Sequence, residues 1–443
     1  MPARQDLNIE SGIRMRETRR STPTGAALAI VAAGLAICAS AAAQQAPPGA
    51  SVESLLAYAR ERSPAYAAAR HEADAIAQRV VPAGALPDPV LRTELQDVTN
   101  AGSGAGFNLL PARVGKTRYQ LMQSVPFFGK RELRREVALA DSDEASRRAD
   151  ATWVDIAARI KVAFAQHYGV VHGLRLTSEI LVLLGRLEQV AQVRYAGGLA
   201  PQQDAIRAQV EQTALRAELI AMQGMRQQTE AKINGLLSRP SNAALAAPEQ
   251  LRPLPAASAF DLAAIEPRVR ASSPQLLVEE ARVRSAQKNR DLVVRNRYPD
   301  FTFGIAPIQT RSRLSEWELM VELNIPLQRA SRRAQEHEAE SMLAAAQARR
   351  DATAAQLLAE LGENLSALDA ARRTETLLAS SLQPQAQLTL HSALAAYENG
   401  KVDFATLLDA QRQIRRAALD LLKAQTEAQV RLAEIERLLG ETL

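Results

Sequence analysis

Between residues 316 and 325, apolar side chains fall on every second position. Trp317, Leu319, Val321, Leu323 and Ile325 alternate with Glu316, Glu318, Met320, Glu322 and Asn324. A period of two puts successive side chains on opposite faces of a strand, so this stretch predicts a strand with one apolar and one charged face. Three other stretches alternate in the same way. Leu91, Thr93 and Leu95 alternate with Arg92, Glu94 and Gln96, and Tyr119, Leu121 and Val125 lie opposite Arg118, Gln120 and Ser124. Phe301, Phe303 and Ile305 alternate with Thr302 and Gly304. The predicted strands are therefore 89–98, 117–126, 300–308 and 316–326. Elsewhere the period is helical. Residues 131–195 contain no proline, and as one helix they would span roughly 100 Å at 1.5 Å per residue. Ile180, Leu183, Leu184, Leu187 and Val190 form one stripe of it. The run 329–397 is equally long and is broken only by Pro384, which should kink it. In the last helix Ile414, Ala418, Leu421, Gln425, Ala428, Leu432, Ile435 and Leu439 alternate by four and three, the period of a coiled-coil seam.

These elements occur twice. SVESLLAYARERSPAYAAAR (51–70) answers FDLAAIEPRVRASSPQLLVEE (260–280). Each breaks at Ser-Pro, Ser63-Pro64 and Ser273-Pro274, where serine caps and proline starts a new helix. Two strands follow in each copy, then a long helix, a corner and a second helix. YAGGLAPQQDAIRAQ (195–209) and YENGKVDFATLLDAQ (397–411) align at one constant offset, Tyr195 with Tyr397 and Gly198 with Gly400. A duplicated unit that cannot bury its faces alone is the mark of a repeat architecture. The copies are 44–240 and 260–443, joined by a proline-rich linker, 241–259, and preceded by 1–43. That leading segment has a basic region (Arg14, Arg16, Arg19, Arg20), then the apolar run 25–43 ending in small residues, and it predicts an export signal cleaved before Gln44, with Met1 or Met15 as the start. Ile37 before Cys38 argues against lipidation there.

Composition narrows the function. Aromatics are only 4% of the 443 residues and Cys38 is the only cysteine, so the exported chain has no disulfide and no thiolate site. A net charge of +5 without a basic, aromatic-lined patch argues against nucleic acid. None of the five histidines has zinc-helix spacing; Glu336-His337-Glu338 is the nearest approach to a ligand set, and its members diverge around a helix. No nucleophile elbow, phosphate loop or dinucleotide fingerprint occurs, so no catalytic residue, cofactor or resident metal is expected. The glycine-rich stretch 102–106 reads as a loop between two strands.

Four strands of this length suit a tilted transmembrane barrel, but four cannot close one, and open edges cannot face lipid. Three copies would supply twelve. Trp317, Leu319, Val321, Leu323, Phe301 and Phe303 would then meet lipid, and Arg92, Glu94, Glu318 and Glu322 would line water. In this order of elements, in QSVPFFGKRELRREVA (123–138) and in the Tyr-x-x-Gly…LLDAQ corner, residues 51–441 resemble the TolC family of outer-membrane efflux channels. The resemblance implies a mainly α fold with a small β part. A homotrimeric twelve-stranded barrel would continue into a periplasmic helical tunnel and work with a periplasmic adaptor and an inner-membrane pump of RND type. The GKR-type stretch at 129–131 is most similar to the heavy-metal (CzcC/CusC-like) branch, with drugs or other small molecules as the alternative cargo. A soluble periplasmic coiled-coil scaffold is the competing reading from another class.

The resemblance places the two corners at the periplasmic tip. Of the family's polar gate pattern, Tyr397, Gly400 and Asp409 are present, but Val402 and Thr406 replace a basic residue and an aspartate. Alignment of the copies suggests a substitute, in which Arg207 and Asp409 of neighbouring hairpins pair and Asp204 supplies a carboxylate at the pore, beside Tyr195 and Tyr397. Gly197, Gly198 and Gly400 are expected to take positive φ at the helix ends and to shape the surface where an adaptor docks.

Overall fold

A computed structural model describes residues 47–100 and 106–443. The expected signal segment, Cys38 and all but Gly106 of the glycine-rich stretch lie outside them. Each copy opens with two short helices, α1 (Val52–Arg62) and α2 (Pro64–Ala77), or α6 (Leu262–Ser272) and α7 (Pro274–Arg295). Ser63 does cap α2, its hydroxyl accepting from the Tyr66 N–H at 3.4 Å. Ser273 does not cap α7; its buried hydroxyl has no partner. A short turn of helix, α3 (Val80–Gly84), leads into the first strand.

The strands are β1 (Val90–Gln96), β2 (Lys116–Val125), β3 (Phe301–Thr310) and β4 (Arg313–Leu323), in one antiparallel sheet of order β1-β2-β3-β4. The β2–β3 pairing therefore joins the two copies edge to edge, with Leu121 opposite Ile305 and Val125 opposite Phe301. β4 begins and ends three residues earlier than the alternation suggests. Two residues suffice to turn from β3, with Arg311 at φ +54°, and Ile325 precedes Pro326, which has no N–H to give a ladder. β1 and β4 are the edges of this sheet among the described residues.

From the sheet the chain enters α4 (Lys130–Ala196), a single helix of 67 residues, and returns in α5 (Gln202–Leu236). The second copy enters α8 (Arg329–Leu377), passes through one π-helical turn (Leu378–Leu382), continues as α9 (Gln383–Glu398) and returns in α10 (Phe404–Leu439). The π turn is the interruption expected from Pro384. Proline has no N–H for the carbonyl four residues back and its ring crowds that carbonyl, so the helix widens by one residue just before it. α10 packs on α4 and on α8. Its buried face is accordingly wider than one seam: Ala428, Leu432, Ile435 and Leu439 are buried as expected, but so are Ala417, Ala424, Gln429, Ala433 and Glu436, while Ile414, Ala418 and Leu421 are only half-buried. Small residues set the spacing. A Cβ on Gly169 of α4 would lie 2.8 Å from Thr426 Oγ1.

One charge cluster is sealed among these helices. Glu436 of α10 is 2% exposed. Its carboxylate accepts from Lys161 Nζ of α4 at 2.8 Å, from both terminal nitrogens of Arg252 in the linker at 3.1 and 2.9 Å, and from the Leu443 N–H at 3.0 Å. Helix α4, the linker and the Leu443 amide thus meet on one side chain of α10.

Candidate functional site: the hairpin tips and the strand sheet

Both corners are built alike. At the first, the Gly198 N–H bonds Tyr195 O at 2.9 Å and the Leu199 N–H bonds Arg194 O at 2.8 Å; at the second, Gly400 and Lys401 bond Tyr397 O and Ala396 O at the same distances. This double bond past a helix end needs one residue in the left-handed region. Gly198 (φ +72°) and Gly400 (φ +70°) supply it. Gly197 does not: at φ −82° it holds an ordinary conformation, one that Asn399 adopts in the second copy (φ −88°). Asp403 then caps α10, its carboxylate accepting from the Thr406 N–H at 2.9 Å.

The environments of the two tyrosines differ sharply. Tyr195 is 48% exposed, Tyr397 only 2%. The Tyr397 hydroxyl donates to Asp204 Oδ2 at 3.2 Å. Its ring packs edge-on against Phe404 at 5.3 Å, and the Arg194 guanidinium sits 4.9 Å from the ring centre. Arg194 also donates to the Glu398 carbonyl at 2.6 Å. Burial and the adjacent Asp204 carboxylate push the Tyr397 hydroxyl up to about 12, so it remains a donor across physiological pH. The asymmetry follows from the alignment. Arg194 and Asp204 of the first copy answer Ala396 and Thr406 of the second. Only the first copy can hold the other's tyrosine.

Asp204 is therefore turned inward to Tyr397, buried inside the protomer, and is not the open pore carboxylate expected from sequence. Arg207 and Asp409 face the same groove between α5 and α10, a hollow of about 440 Å³, yet no ion pair joins them among the described residues. Asp409 lies 3.5 Å from Arg412, which in turn grips Glu211 at 2.6 Å. Arg207 and Asp409 are both exposed. Gly400→Val is expected to weaken the corner, because a β-branched residue at φ +70° is strained by about 1–3 kcal/mol, and its Cβ would sit 3.4 Å from Arg194 Nη2. The check is trypsin cleavage near residues 395–405, which should accelerate relative to wild type.

The GKR stretch has a structural task at the joint of sheet and helices. Gly129 (φ +85°) turns the chain where a Cβ would meet Arg295 Nη2 at 2.9 Å. Lys130 is buried, and its Nζ donates to Asp300 Oδ1 at 2.8 Å and to Tyr298 O at 2.7 Å. Arg131 donates to the Gly84 carbonyl at 2.8 Å. Phe127 stacks on Tyr298 at 4.6 Å beside Arg295. Gly129 and Lys130 thus hold the first copy against the second at this joint, and Arg131 ties α4 to the end of α3 within the first copy.

In the sheet itself the predicted apolar face is open. Trp317, Leu319, Val321, Leu323 and Phe303 are exposed, Leu319 at 84%, and Phe301 is half-buried. On the opposite face Gln120 is 3% exposed and Arg118 pairs with Glu318 at 2.5 Å and Glu94 at 3.9 Å, while Arg92, Glu316 and Glu322 are exposed. This inverts the pattern of a soluble sheet, whose apolar face goes inside. No helix among the described residues is long and apolar enough to cross a membrane. None of the described His, Cys, Asp and Glu residues gather in threes to hold a metal; Glu336 of the Glu336-His337-Glu338 run is taken by Arg297 at 2.5 Å.

A strand sheet with its apolar side outward, continued by helices about 100 Å long, is the build of a membrane channel subunit. The sequence profile described as "Outer membrane efflux protein" matches residues 55–239 and 267–441, and the chain belongs to that family. It is thus an outer-membrane channel protein of a Gram-negative bacterium that extends into the periplasm, and not an enzyme. Solved structures share the fold. A membrane protein from Pseudomonas aeruginosa is 20% identical, with TM-score 0.74 over 89% of this chain and 91% of that one. VceC from Vibrio cholerae is 17% identical, with TM-score 0.73 over 88% and 96%. CusC, whose structures concern folding and transmembrane channel formation, is 16% identical, with TM-score 0.72 over 88% and 92%. No curated protein matches the chain.

Proposed function

We propose that three copies of this chain close a twelve-stranded barrel and a periplasmic helical tunnel. The assembly passively conducts cargo received from a periplasmic adaptor and an inner-membrane pump of RND type. The observation that carries this reading is the four-stranded sheet itself. Its edges β1 and β4 have unpaired backbone groups and its outward face is apolar, and in hydrocarbon neither edge is tolerable unless another copy completes it. Strands of ten and eleven residues, at about 3.3 Å each and tilted near 40°, cover the roughly 25 Å apolar height of an outer membrane. The test is fractionation followed by unboiled gel electrophoresis. A heat-sensitive trimer in the outer-membrane fraction supports the reading; a monomer soluble without detergent refutes it.

At the tip, Tyr397 and Asp204 tie the two hairpins of one protomer together, and Arg207 and Asp409 are the charges assigned to contacts between hairpins. Tyr397→Phe, and separately Arg207→Ala with Asp409→Ala, should each raise single-channel conductance in a planar bilayer. Unchanged conductance in both would remove the tip as the constriction. For cargo, heavy-metal ions are the reading that the 129–131 resemblance suggests, although those residues serve the joint. Tolerance of a deletion strain to a panel of metal ions and drugs decides between metals and other small molecules.

A further inference from the structure

A repeated run of arginines follows the sheet in both copies. Arg131, Arg134 and Arg135 open α4, and Arg329, Arg332 and Arg333 open α8 with the same spacing. An exposed apolar side chain comes just before each set, Phe128 after β2 and Leu327 after β4, both 80% exposed. Some of these arginines serve the joint: Arg131 donates to the Gly84 carbonyl, and Arg332 reaches the Asn296 carbonyl at the end of α7. Arg135, Arg329 and Arg333 remain exposed.

Neither helix stability nor pairing inside the protomer accounts for those three. A cation in the first turn of a helix opposes its dipole, so Arg329 does nothing for α8. The side chains of Arg329 and Arg333 make no ion pair and no hydrogen bond among the described residues. Glu336, whose charge reaches Arg333, is taken by Arg297. Arg135 meets only Glu132, at 3.7 Å and with both side chains more than half exposed, a surface pairing of little worth.

The outward row of β4 sets the level of these charges. Trp317, Leu319, Val321 and Leu323 continue past the strand as Ile325 and Leu327, the last two 61% and 80% exposed. From Trp317 to Leu327 an extended chain at about 3.3 Å per residue, tilted near 40°, covers roughly 25 Å, the apolar height of an outer-membrane barrel. Arg329 follows two residues on, at the level of lipid phosphates on the periplasmic side.

We propose that Arg135, Arg329 and Arg333 bind the phosphates of anionic phospholipids in the periplasmic leaflet, with Phe128, Ile325 and Leu327 set among the acyl chains. This belt rests on the reading of the apolar sheet face as lipid-facing, and it names the lipid that the base of the barrel prefers. Guanidinium forks match the paired oxygens of a phosphate, and clustered basic residues beside a membrane-embedded segment select anionic headgroups. A soluble phosphate would have no use for the apolar side chains beside the arginines, so the occupant is a lipid.

The experiment is native mass spectrometry of the detergent-solubilised full-length protein, mixed with equal amounts of phosphatidylglycerol and phosphatidylethanolamine. Wild type should retain phosphatidylglycerol in preference. Arg135→Gln with Arg329→Gln and Arg333→Gln should lose roughly fivefold of that preference per arginine. Arg175→Gln with Arg186→Gln and Arg373→Gln, three exposed arginines farther along the helices, should keep it. Phe128→Ser with Leu327→Ser should release both lipids alike, and unchanged retention there strikes the apolar half of the belt. Equal retention of both lipids by wild type, an unchanged preference in the first triple variant, or its loss in the control variant overturns the proposal. So does displacement of phosphatidylglycerol by an equal concentration of inorganic phosphate, which would mark a site for free anions. Failure of the first triple variant to form a trimer in lipid-free detergent would also overturn it, because the arginines would then serve contacts between copies. The two readings fail separately. A soluble monomer whose phosphatidylglycerol preference falls with the arginines refutes the barrel and keeps the headgroup contact. A trimeric outer-membrane channel that retains both lipids equally refutes the belt and keeps the channel.

Discussion

Leu319→Arg is expected to remove the protein from the outer membrane as a trimer. Leu319 lies near the middle of β4, is the most exposed of the apolar strand side chains, and stands in one cross-strand row with Ile305, Leu121 and Leu91. An arginine at the midplane of a barrel's lipid face costs about 2–4 kcal/mol per copy, and a trimer carries three. Leu319→Arg with Val321→Arg should abolish the heat-sensitive trimer on unboiled gels. Glu318→Gln, one residue away on the opposite face, should leave it in place. Normal insertion of the double arginine variant would show that lipid does not meet this face.

Glu436→Leu should produce the largest loss of stability in the helical part. It strands Lys161, 8% exposed, and Arg252 beside a sealed apolar side chain. Removing one partner of a buried ion pair costs about 3–5 kcal/mol. The Lys161 and Arg252 charges and their hydrogen bonds outweigh desolvation and hold the Glu436 carboxyl below the usual range. A carboxylate with a lowered folded pKa adds stability that is complete above its unfolded value, and that stability is lost as pH falls through the folded one. The gap in thermal unfolding between wild type and Glu436→Gln should therefore be full at pH 7 and shrink as pH falls below about 4. A gap that is equal at pH 7 and at pH 3 would mean that the charge plays no part. Adding Lys161→Met to Glu436→Leu should recover some of the loss, because one of the stranded charges leaves with it.

Some of this could be read from residue order alone. Alternation at period two marked all four strands and assigned Trp317, Leu319, Val321 and Leu323 to one face, because the pleat leaves no other choice. Gly198 and Gly400 were placed in left-handed corners for a similarly local reason. What the local pattern lacked was contact across the duplication. Tyr195 and Tyr397 align perfectly, yet one is exposed and the other buried, since Arg194 and Asp204 have no counterparts in the second copy. That comparison was available in the sequence, but aligning Asp204 with Thr406 and Arg207 with Asp409 pointed to a charge pair and not to the tyrosine. The second buried row on α10 was equally hidden. A single-seam period describes a helix with one neighbour, and α10 lies between α4 and α8.

Sequence by itself determined the periodicities, the duplication, the turns that demand glycine and the apolar side of each strand, all of which depend on chain geometry within a few residues. Only the tertiary structure decided that Asp204 turns inward, that Gly129, Lys130 and Arg131 clamp a joint, and that Glu436 gathers Lys161, Arg252 and the Leu443 amide. Those facts join residues far apart along the chain, and such pairs are chosen by the free energy of the whole packed structure and not by any segment of it.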